Sequence, residues 1–318
     1  MRSTSMITTP REAHASRGLL LATLVLAVLA ALGCESQTQV ASGFDDPPPA
    51  ATVGGEGGDV AAMLAAGEAG WANRDEESGL RSAIEGYAGA VASDPNQPEA
   101  WVMLARSHYL LADCHLSFDE AKTEEKLSEY EAGKVAAERS LRFAFPDFAQ
   151  RIADGSPWQE ALGADLLDAS AVPALYWRAT AMGKWASAEF ATLLSYKDEI
   201  KAIMQTCLDL DGDYFYSGPS RYFGVFYGRA PAFAGGDLEQ SRSFFETSLA
   251  AAPNYFGTRV LLAQDYAVKA QDRALFEEQL QTVIAGDPES GGPEIAPENR
   301  CEQRKAQVLL SRADELFE

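Results

Sequence analysis

Residues Ser82–Tyr109, SAIEGYAGAVASDPNQPEAWVMLARSHY, decide the fold. Ala83, Tyr87 and Ala90 fall on one face of a helix, which Pro95 stops. Pro98 then stands in the first turn of a second helix, where its missing N–H does no harm. Trp101, Leu104 and Ala105 share a face of that second helix. Small residues let two helices approach closely, and an aromatic ring fills the gap beneath the next pair. Such a pair cannot bury its apolar face alone, so further pairs must stack on it.

Small–aromatic–small–proline followed by Trp–Leu–small resembles the tetratricopeptide repeat. The spacing returns late in the chain, where Ser241, Phe245, Ser248 and Pro253 hold the first set of offsets and Leu262, Ala263 and Tyr266 the second. Ser241 and Ser243 stand near positions where such repeats favour Ala. Pro288 follows Pro253 by one residue more than the usual repeat length. Between these parts the rhythm is irregular. The run 118–145 predicts one long helix, and FPDFAQRIADGSPWQEAL interrupts before the next. Ser156 with Gln159, and Asp237 with Gln240, predict capping boxes. The expected fold is all-α: about twelve helices over residues 59–318, stacked as a tetratricopeptide-like array of antiparallel helix hairpins.

The start of the chain sets its expected address. Arg2, Arg11 and Arg17 precede the apolar run LLLATLVLAVLAAL, Leu19–Leu32, too short to span a membrane and the right length for a signal-peptide core. Ala31-Leu32-Gly33-Cys34 resembles the lipobox of bacterial lipoproteins, with Ala31 where that pattern favours Leu; the alternative is ordinary secretory cleavage. The resemblance implies removal of residues 1–33 and acylation of Cys34, hence attachment to the membrane through a lipid anchor, by default the outer one, with the body in the periplasm. Residues 34–58, with Pro47-Pro48-Pro49 and repeated Gly, are expected to form a flexible tether. Without residues 1–33 the chain has 23 basic and 46 acidic residues, a net charge of −23. That balance argues against nucleic acid as a partner.

Motifs for catalysis are missing. No metalloprotease, nucleophile-elbow, P-loop or dinucleotide signature occurs. His108 stands at a repeat position usually aromatic, and His115 lies beside Cys114 with no further ligand in sequence. DLDGDY (209–214) begins like a calcium loop, but Tyr214 stands where the loop needs Gly and Ser220 where it needs Glu. Its simpler reading is a helix end and a tight turn at Gly212. No metal, cofactor or catalytic residue is therefore expected. Cys114, Cys207 and Cys301 allow one disulfide in three pairings, or three buried apolar cysteines, and spacing does not choose.

The densest aromatic stretch is YFYSGPSRYFGVFYGRAPAFAGGD, Tyr214–Asp237, with eight aromatic residues. Gly218-Pro219-Ser220 predicts the start of a helix that ends before Pro231. Gly235-Gly236 predicts a sharp turn, and Asp237 the cap of the next helix. Tyr222 and Phe226 share a helix face with Arg229, and Phe223 shares a neighbouring face with Tyr227. A charged head among aromatics must reach solvent, an acidic partner or a ligand, so Arg221 or Arg229 is expected to face a groove. YFGVFYGRAPAFAGGDLEQSRSFFETSL resembles the signature of T-component proteins of TRAP transporters, as do ALYWRATAMGKWA (174–186) and RKAQVLLSRADELF (304–317). The resemblance implies an accessory lipoprotein of a tripartite ATP-independent periplasmic uptake system. It would dock the periplasmic solute-binding protein and form a homo-oligomer with a ligand-sized passage. Tyr214, Tyr216, Arg221, Tyr222, Phe223, Phe226, Tyr227 and Arg229 are the candidate partner or ligand contacts. The alternatives are direct binding of a small apolar or anionic ligand, and a purely structural envelope role.

Overall fold

The computed structural model describes residues 41–45 and 59–317. The leader, Cys34 and most of the stretch read as tether lie outside the described residues. Among those described, all regular structure is helical. Its helices are α1 (Val60–Ala72), α2 (Glu77–Ser93), α3 (Pro98–Cys114), α4 (Thr123–Ala144), α5 (Pro146–Ala153), α6 (Trp158–Leu162), α7 (Val172–Ala186), α8 (Phe190–Asp211), α9 (Tyr214–Arg229) and α10 (Leu238–Ala251). Then come α11, which runs over 256–270 with a π-helical turn at Leu262–Ala267, α12 (Arg273–Ala285), α13 (Ala296–Leu310) and α14 (Ala313–Leu316). The helices beyond the expected dozen are the one-turn pieces α6 and α14.

Hairpin neighbours pack as the repeat pattern asks: α1 on α2, α2 on α3, α3 on α4, then α7 on α8, α9 on α10, and α12 against α11 and α13. Ala83, Tyr87, Ala90, Trp101, Leu104 and Ala105 are all buried. In the late repeat the two serines at buried small positions are not idle. Ser241 donates to Gly224 O at 2.7 Å and Ser248 to Ser217 O at 3.2 Å, tying α10 to α9. Ser243 is exposed.

Two local expectations are revised. The helix foreseen over 118–145 begins only at Thr123, because Asp119 is extended and its carboxylate caps a separate 3-10 turn, Glu120–Lys122. Ser156 caps nothing: Pro157 occupies the cap position of α6, and the Ser156 N–H points back to Arg151 O.

The array closes on itself. α13 returns to α3, where Cys114 and Cys301 form a disulfide across a separation of 187 residues. Around it Glu298 accepts from Arg74 and Arg106, both at 3.0 Å. Lys305 reaches Asp113 at 2.5 Å, Arg304 donates to Cys114 O at 2.6 Å, and Arg300 pairs with Asp75. Cys207 stays a free, buried thiol whose pKa burial pushes up.

Candidate functional site

The site begins where α8 ends. After Gly212 and Asp213 the chain enters α9 through three successive left-handed residues, Phe215 (φ 45°), Tyr216 (φ 58°) and Ser217 (φ 57°), before regular helix resumes at Gly218. None is glycine, and left-handed backbone costs an L-residue about 1–2 kcal/mol. The surroundings hold the turn in place. Arg221, one helical turn on and 4% exposed, donates to Tyr216 O at 2.8 Å and to Phe215 O and Tyr176 Oη at 3.1 Å. Its guanidinium lies 4.4 Å over the ring of Tyr255, which also stacks on Tyr216 at 5.1 Å. The Phe215 ring meets Trp177 at 4.7 Å, and Trp177 Nε1 donates to Tyr214 Oη at 2.9 Å.

This turn walls a cavity of about 670 Å³. Asp213 to Ser217 form one side, Ala251 and Ala252 at the end of α10 another, and Arg106 of α3 a third. Arg106 is the hub: its guanidinium lies 4.5 Å over Trp71, 5.6 Å over Trp177 and 5.1 Å over Phe215, with Nη2 on Glu298. Its Nε is buried with no hydrogen-bond partner. Burial pushes Tyr214 up to about 12, so its phenol is neutral at physiological pH and can donate or accept. The wall thus offers aromatic faces, the phenols of Tyr214 and Tyr216, and one arginine opposite the carboxylate of Asp213, which suits an apolar body carrying a polar group at the arginine side.

The residues singled out in sequence fall into separate places. Tyr214 and Tyr216 line the cavity. Arg221 does not line it but holds its wall from behind. Tyr222 and Phe226 stack at 6.2 Å, with Lys201 of α8 lying 5.0 Å over Phe226 and 5.6 Å over Tyr227. Phe223 is buried and packs with Tyr227 against Phe244 of α10. Arg229 pairs at 2.9 Å with Asp265 in the π-helical turn of α11. Gly235 takes φ +96°, and Asp237 caps α10 by accepting from the Glu239 and Gln240 N–H groups.

Arg106 and Phe215 were missed. The signal was present for Arg106: with Tyr109 and Asp113 at i+3 and i+7, it stands on one stripe of polar groups along α3. His108, by contrast, is held by Glu129 at 2.6 Å, and His115 Nε2 lies 3.2 Å from Arg74 O. Among the described residues no group of His, Cys, Asp or Glu is placed to hold a metal, and no helix is long and apolar enough to cross a membrane.

The family model described as TRAP transporter T-component matches residues 118–317, which include α4 to α14 and all of the cavity wall except Arg106. No curated protein matches the chain.

Proposed function

The chain belongs to the TRAP transporter T-component family, and from that premise we propose that it is the accessory that docks the solute-binding protein of such a system at the mouth of the Arg106 cavity. Membership makes it a component associated with transport across the cell envelope. The finer reading is a lipoprotein held through Cys34 at the outer membrane, its body in the periplasm, working as a homo-oligomer and without catalysis. The observation that carries the docking role is the cavity itself. It opens beside the strained turn 215–217, and its wall is built from aromatic side chains and one arginine edge. A surface pre-shaped by buried clamps loses little entropy on binding a partner.

The test is calorimetric titration of the mature chain, in detergent, with the solute-binding protein encoded beside it. Saturable binding at micromolar affinity or tighter is expected, weakened at least tenfold by Tyr216→Ala. No heat at high concentration with a folded chain defeats the docking role.

A second reading has its own support: Arg106 lines the cavity with its guanidinium over the Phe215 ring and its Nε unpartnered, a cation beside an aromatic wall that a direct binder of an apolar carboxylate would use. Binding of medium-chain carboxylates by the isolated chain, lost in Arg106→Gln, distinguishes it from partner docking.

A further inference from the structure

Residues Ala41 to Asp45 lie on the body far from that cavity in sequence, and the contacts they make are those of a recognised peptide. Gly43 N donates to Glu138 Oε2 at 2.8 Å, and Gly43 O accepts from Arg142. Ala41 N donates to Glu131 Oε1 at 3.0 Å, and Ala41 O accepts from Lys134. Glu131, Lys134, Glu138 and Arg142 stand at i, i+3, i+7 and i+11, one face of α4, so backbone donors and acceptors are read alternately by carboxylates and cations. Phe44, 6% exposed, enters a pocket where its ring meets Trp158 at 5.9 Å and Phe148 at 6.5 Å, both edge-on.

The residues of the pocket also hold one another. Glu138 is 2% exposed and is held by Lys134 at 3.2 Å and Arg178 at 3.1 Å. Arg178 also lies 4.0 Å over the Trp158 ring and pairs with Glu199 at 2.5 Å. Only glycine fits at 43: a Cβ there would come within 2.6 Å of Val135 O and 2.9 Å of Glu138 Cβ.

We propose that the stripe on α4 with the Phe148–Trp158 pocket is a peptide-binding site whose occupant is the chain's own segment 41–45, clipping the stem to the body. The consequence for membrane attachment rests on the reading that Cys34 is acylated. Six residues then separate the anchor from Ala41, a reach of at most about 25 Å when fully extended. The α4–α6 side of the body is thereby kept next to the membrane.

Limited chymotrypsin digestion of the mature chain, with fragments identified by mass, reads the clip directly. Cleavage after Phe44 should be slow in the native chain and about tenfold or more faster in Gly43→Ala, whose far-ultraviolet dichroism should be unchanged. Equally fast cleavage in both chains overturns the clip. On vesicles carrying an acceptor dye, a donor on Arg151→Cys in α5 should transfer energy more efficiently in the native background than in Gly43→Ala. Equal transfer overturns the shortened stem. Failure to remain on vesicles while Phe44 stays protected defeats the acylation reading and leaves the clip standing.

Discussion

Three consecutive left-handed residues persist at 215–217 because Arg221 satisfies two of their carbonyls and Tyr255 covers both Arg221 and Tyr216. Each of these supports is removable. Arg221→Met leaves two partly buried carbonyls unmatched and should cost about 2–3 kcal/mol in urea unfolding. Ser217→Gly should instead stabilise by up to about 1 kcal/mol, because glycine adopts φ +57° without strain and gives back part of that gain as unfolded-chain entropy. A loss of stability in Ser217→Gly would refute the strain. At this scale the sequence showed the residue types but not their directions. Arg221 was visible as a charge among aromatics. The kink before Gly218 decides that it points back into the turn, and dihedral angles of that kind leave no mark in spacing.

At the scale of elements, α3 is tied to α7 and α13 through one carboxylate, Asp113, which accepts from Lys184 at 2.6 Å, Lys305 at 2.5 Å and Tyr130 at 3.1 Å. Burial alone would raise its pKa, but the two ammonium groups outweigh it and hold the carboxyl well below its usual range. A depressed acid contributes stability that is complete above the unfolded value, near 3.9, and is lost as pH falls below it. Unfolding followed against pH should therefore show stability declining from about pH 4 downward. In Asp113→Asn that decline should be shallower, and stability at neutral pH lower by about 3 kcal/mol. The hairpins α2–α3 and α10–α11 were legible because small, aromatic and proline positions repeat there. The stretch between α3 and α7 was not, since its elements start at local signals, the Asp119 cap of a 3-10 turn, Pro146 at the start of α5 and Pro157 before α6, rather than at any period.

For the whole molecule, the closure of α13 on α3 is the feature that repeat logic does not contain. Stacked hairpins predict contact between neighbours, whereas Arg74–Glu298, Lys305–Asp113 and the disulfide join the first hairpins to the last long helix. Arg106, between Glu298 and the cavity, belongs to both the closure and the site. The cavity wall draws on α3, the start of α9 and the end of α10, which is why no linear reading of Tyr214–Asp237 could draw it whole. Cys301→Ser should lower stability by about 2–5 kcal/mol, and the native chain in reductant should melt with that variant. If reductant leaves the native chain's melting unchanged, the bond contributes nothing to the fold.

The distance along the chain between Cys114 and Cys301 also orders events in time. Cys114 leaves the ribosome 187 residues ahead of its partner, and Cys207 is made between them. Cys207 is therefore the nearer competitor for Cys114 along the chain. Once α8 is packed Cys207 is buried and out of the competition, so early folding of the hairpin α7–α8 should favour native pairing, and Cys207→Ser should raise the yield of native disulfide in oxidative refolding.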